Sequence, residues 1–83
     1  MQVVNVTAFQ IRAARGALNW SISDLSQKSG VPTATLVRYE AADGTPKSRK
    51  GHISTIVKVL EGAGIEFIGT PDDGPGIRLR FRA

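Results

Sequence analysis

Three pieces of punctuation inside one short stretch limit what this chain can build. In residues 20–40, WSISDLSQKSGVPTATLVRYE, Ser21 and Asp24 stand at capping-box spacing, with Asp in place of the usual Glu or Gln, and Trp20 and Leu25 take the staple positions around such a start. Gly30 suits the residue just past a helix end, where left-handed backbone is wanted. Pro32 has no N–H to donate, so it fits the very start of a helix and not its interior. Two short helices joined by a Gly-containing turn satisfy all of these marks. The second of the pair is expected over about 33–42, with Leu36 and Tyr39 facing inward together.

The rest of the chain can be laid out around this pair. Thr7 and Gln10 repeat the capping-box spacing, and Val6 and Ile11 the staple, so an earlier helix is expected from about Ala8 to Leu18. Ala8, Ile11, Ala14, Arg15 and Leu18 share one face of it, and Arg15 is the charged member that needs a partner. Residues 43–51, rich in Gly, Pro, Ser and basic side chains, read as a loop. Ile53, Ile56, Val57 and Leu60 then form a clean helical face, closed by Gly62 and Gly64. From Ile65 the period becomes that of a strand. IEFI is short and β-rich, TPDDGPG at 70–76 is dense turn punctuation, and IRLRFR at 77–82 alternates apolar and basic residues. A lone two-stranded hairpin with Ile, Leu and Phe on one face is marginal and needs covering, by the same element of a second chain or by an N-terminal strand at 2–6. The expected architecture is mainly α: four helices over 1–64, with a small C-terminal β-hairpin over 65–83 as a dimerisation element through Ile65, Phe67, Ile77, Leu79 and Phe81.

Composition narrows the function classes. A chain of 83 residues is about one small domain with a thin core, which oligomerisation would help. The chain has no cysteine, which removes disulfides, thiolate zinc sites and a Cys nucleophile, and favours an intracellular address over a secreted one. No apolar run approaches the ~20 residues needed to cross a bilayer, and MQVVNVTAF lacks the basic head and apolar middle of a signal peptide, so a soluble, cytoplasmic protein is expected. The formal net charge is +4, which suits a polyanionic partner. Lys47, Arg49, Lys50 and Lys58 fall in a stretch free of acids, and Arg78, Arg80 and Arg82 follow near the C-terminus. A charge run by itself is more often a solvated face; its place beside the helix pair gives this one its interest.

At this point the residues carry a family resemblance. Arg15-Gly16, Trp20-Ser21, Leu25-Ser26, Gly30-Val31 and Tyr39-Glu40 occur in the order and spacing of the Cro/repressor class of helix-turn-helix proteins, the XRE family, and the resemblance covers about 7–63; the tail GAGIEFIGTPDDGPGIRLR also looks like the ending of small bacterial regulators of this class. It implies a lambda-repressor-like helix-turn-helix domain and a sequence-specific DNA-binding transcriptional regulator. It further implies that Arg15 pairs with Glu40, bracing the recognition helix, and that Thr33, Ala34, Thr35 and Arg38 lie where relatives touch DNA. Arg38 can take guanine O6 and N7 together, whereas Thr hydroxyls read ambiguously and the Ala34 methyl suits a thymine methyl. Val37 either faces DNA or is a marginal core residue. Lys47, Arg49 and Lys50 follow where relatives run along the phosphates. Ser21 and the second-helix N-terminus are a further candidate phosphate contact, although Ile22 stands where many relatives carry a backbone-clasping Gln, and Ser26 stands where Ala is usual.

Other chemistry finds little support. His52 is the sole histidine, and a solvent-facing or capping role suits it better than metal binding. Asp72-Asp73 fit turn formation between Pro71 and Gly74, and Gly74-Pro75-Gly76 lacks the Lys-Ser/Thr and helix of a phosphate loop. No enzyme, cofactor or metal is expected, and no membrane. The expected partner is double-stranded DNA, bound by a homodimer at an inverted repeat, with repression the commoner role because little room remains for a ligand or activation domain. The alternative is an antitoxin or anti-activator that keeps this fold and acts by protein–protein interaction.

Overall fold

The computed structural model describes residues 6–47 and 51–80. Helix α1, Ala8–Ala17, begins where the Thr7 side chain accepts from the Gln10 backbone N–H at 3.1 Å while the Thr7 N–H donates to the Gln10 side chain at 2.8 Å. Val6 and Ile11 are both fully buried, as a hydrophobic staple requires. The helix ends in a feature the sequence reading did not single out. Asn19 adopts a left-handed backbone, φ 59°, its N–H reaching the Gly16 carbonyl and the Trp20 N–H the Arg15 carbonyl. Those two bonds satisfy carbonyls that would otherwise be orphaned, and Asn tolerates the conformation better than other residues with a Cβ.

Helix α2, Ile22–Ser29, opens on the reciprocal bonds of Ser21 and Asp24 and closes at Gly30, φ 77°. Helix α3, Thr33–Glu40, starts directly after Pro32, and two residues earlier than 42 its chain turns off into the loop. Helix α4, His52–Gly62, buries Ile53, Ile56, Val57 and Leu60. Gly62 is still helical, so the stop falls to Gly64. A Cβ there would lie 2.5 Å from the Arg80 carbonyl oxygen, and φ is +108°. Only glycine lets the hairpin return this close to the helix end, where the Arg80 N–H donates to the Gly64 carbonyl at 2.7 Å.

Strands β1, Ile65–Thr70, and β2, Asp73–Leu79, pair antiparallel with Phe67 opposite Ile77 and Thr70 opposite Asp73. The hairpin is longer and its turn tighter than the punctuation at 70–76 suggests. A register shift between Ile68 and Thr70 absorbs one extra residue on β2, and Gly69, where a Cβ would sit 2.1 Å from the Gly74 carbonyl oxygen, permits the close crossing. Pairing therefore continues to Asp73 and leaves Pro71 and Asp72 to turn.

One core joins the helices and the hairpin. Ile11, Leu25, Val31, Leu36, Tyr39, Ile56, Leu60 and Ile65 are buried together, with Phe67 and Ile77 packed against them. Gln10 then does a second job: its side-chain amide donates to the Ile68 carbonyl at 3.0 Å and the Gly76 carbonyl at 2.9 Å. The hairpin face expected to need covering is thus covered in part by this chain's own helices, at Ile65, Phe67 and Ile77. Residues 2–5 of the suggested N-terminal covering strand lie outside the described residues.

Candidate nucleic-acid interface

The turn between α2 and α3 is stitched by two serines. Ser26 Oγ donates to the Val31 carbonyl at 2.7 Å, and Ser29 Oγ donates to the Leu25 carbonyl at 2.7 Å while accepting from the Val31 N–H at 3.2 Å. Ser26 therefore earns its place where Ala is usual by tying the body of α2 to the approach to α3. A hydrogen bond of this kind contributes about 1 kcal/mol net.

The far end of α3 is braced against α1. Arg15 donates through Nε to Glu40 Oε2 and through Nη2 to Glu40 Oε1, both at 2.9 Å, and through Nη1 to the Trp20 carbonyl at 2.9 Å. Glu40 is only 6% exposed and Arg15 23%, so the pair sits at the edge of the core, where two parallel bonds fix orientation as well as charge. The bond to Glu40 pushes the Arg15 guanidinium pKa upward, against its partial burial. Arg12, one turn earlier on α1, donates through Nη1 to the Glu40 backbone carbonyl. This second clamp has no signature in the sequence beyond the three-residue spacing of two arginines.

The N-cap of α4 is Gly51, and His52 is half-buried. Its Nδ1 lies 3.3 Å from the Tyr39 hydroxyl, and the rings approach to 6.3 Å between centroids, so it ties the start of α4 to the buried side of α3.

With its inner side held by Leu36, Tyr39 and Glu40, α3 presents Thr33, Ala34, Val37 and Arg38 as an exposed stripe. Thr35 is half-buried at its flank. The first turn of α3 carries no acid and no side-chain cap, so its partial positive end is left uncompensated. The Arg38 guanidinium stands 5.7 Å from the centroid of the Tyr39 ring. After α3 the chain is pinned twice, by the Ala8 N–H on the Gly44 carbonyl at 2.9 Å and by burial of Pro46, before Lys47 emerges exposed. Arg49 and Lys50 lie outside the described residues.

The N-terminus of α2 has a different character. Ser21 already accepts from the Asp24 N–H, and Asp24 accepts from the Ser21 N–H. That backbone bond, with the one from the Ser21 side chain, holds the Asp24 carboxyl below its ordinary pKa. An ionised carboxylate stands where a phosphate contact was expected, which disfavours one there.

The residues expected at a dimer contact divide. Ile65 is buried, and Phe67 and Ile77 pack on their own chain's core, because the hairpin folds back on α1 and α4. Leu79 is 37% exposed, and Phe81 lies outside the described residues. Arg78 on β2 and Arg80 just past its end both pair with Glu66 on β1, at 3.2 and 2.7 Å; Arg82 lies outside the described residues.

Residues 11–50 match the helix-turn-helix family model. No curated protein matches the chain. The matched segment runs from the middle of α1 through the stitched turn and the braced helix to the basic loop. Residues 11–50 carry a helix-turn-helix domain of the Cro/repressor type, the XRE family, similar to those of DNA-binding regulators.

Proposed function

We propose that the chain acts in the cytoplasm as a homodimeric repressor, seating α3 in the major groove at each half of an inverted-repeat operator. The observation that carries this reading is the exposed stripe Thr33, Ala34, Val37 and Arg38 on a helix fixed at both ends. A rigid stripe of this kind can hold a register on base edges. Arg38 is the principal base reader, by its bidentate match to guanine. Thr33, Ala34 and Thr35 line the same approach. Lys47, Arg49 and Lys50 contact phosphates and position the domain without specifying sequence, and Ser21 is the weakest phosphate candidate because Asp24 stands beside it. The C-terminal element over 65–83 joins two copies, with Leu79 and Phe81 offered to the partner and Ile65, Phe67 and Ile77 stiffening the hairpin from within.

Gel shifts on DNA from upstream of the protein's own coding sequence test the reading. Specific binding lost in Arg38→Ala supports it, whereas a specific complex unaffected by Arg38→Ala removes Arg38 as reader. Lys47→Ala should weaken all sequences alike and lower the salt slope by about 0.9. Light scattering that finds a monomer at micromolar concentration would overturn the dimer.

A further inference from the structure

The fold itself gives no reason for Val37. It is 52% exposed, so it adds little to the core, and a β-branched residue is not a strong helix former in an eight-residue helix. Its side chain has no donor or acceptor and cannot hold a phosphate. It lies on the same face as Thr33 and Ala34, four and three residues earlier, and Ala41, four residues later, all exposed. The stripe is therefore a strip of methyl groups with Arg38 beside it and no acid within it. In the major groove the apolar complement of such a strip is the 5-methyl group of thymine.

We propose that Val37, with Ala34, reads thymine through its 5-methyl group, making this chain select a thymine-bearing base pair next to the contacts of Arg38. The inference rests on the reading of α3 as the groove-bound helix. The stiff χ1 of valine holds its two methyls in one place, so they discriminate position as well as hydrophobicity. Burying one thymine methyl is worth about a three- to fivefold gain in affinity, from the free energy of a buried methylene.

The test isolates the methyl group. Duplexes are selected on the full chain from a random-sequence pool, and the best is remade with deoxyuridine replacing each thymine in turn, which removes a methyl and keeps every hydrogen-bonding group. The expected result is a loss of about three- to fivefold at one or two positions, clearly reduced at one of them in Val37→Ala, whose melting temperature should hold because the site is exposed. Val37→Thr, which keeps one methyl, should retain part of the discrimination. A selected duplex bound equally well with thymine or deoxyuridine overturns the inference while leaving DNA reading intact. Discrimination undiminished at every position in Val37→Ala assigns the methyl to other residues and also overturns it. Failure to enrich any duplex overturns the DNA reading and this inference together.

Discussion

At the scale of single residues, the brace between α1 and α3 has an asymmetry that can be measured. Removing Arg15 leaves the Glu40 carboxylate, 6% exposed, without its guanidinium, whereas removing Glu40 leaves an Arg15 that is 23% exposed and can turn toward water. Arg15→Ala should therefore cost about 3 kcal/mol and Glu40→Ala about half that, read by urea denaturation. Equal costs would show that the pair behaves as a surface contact. Asp24 supplies a pH-dependent contribution. Its folded pKa lies below the ordinary carboxylate value, chiefly through the Ser21 backbone bond, so the stabilisation is present above the unfolded pKa and fades as pH falls through the folded one. Asp24→Asn should lower the melting temperature at neutral pH and flatten its decline in acid. Arg15 with Glu40 was legible from family spacing, and both capping boxes from a three-residue pattern. Arg12 was not, because its acceptor is a backbone carbonyl twenty-eight residues away, which no side-chain pattern announces.

Among the elements, the helices were the most legible, since caps and apolar periodicity are local. The starts at Thr7 and Ser21 and the face of Ile53, Ile56, Val57 and Leu60 stand where the sequence places them. The hairpin was less so. Its strands were foreseen, but the reach of β2 back to Asp73 depends on a close backbone crossing at Gly69, a tertiary fact. The junction of α4 with β1 gives a paired prediction. Gly64→Ala meets the Arg80 carbonyl and a strained φ, and should cost about 2 kcal/mol or more. Gly62→Ala, helical with open space around its Cβ position, should gain up to about 1 kcal/mol. Thermal melts of the two variants should move in opposite directions.

For the whole molecule, the sequence raised the question of what covers the hairpin, and the answer is non-local. Gln10 reaches carbonyls fifty-eight and sixty-six residues away, and a Gln three residues after a helix cap shows only its capping role in sequence. Because Ile65, Phe67 and Ile77 are used internally, the dimer proposed above has a small apolar contribution from Leu79 and Phe81. It should dissociate more readily than an obligate dimer, and DNA should promote its assembly, seen as a steeper than linear concentration dependence of binding. The clasp of Gln10 also has a mechanical meaning. Through it the hairpin is coupled to the start of α1, and Arg12 and Arg15 couple the rest of α1 to the end of α3, so within one copy the hairpin and the reading helix are held as one body. In the dimer proposed above, inserting one base pair between half-sites rotates them by about a tenth of a turn, a phase error that two such stiff copies leave to the small contact between them.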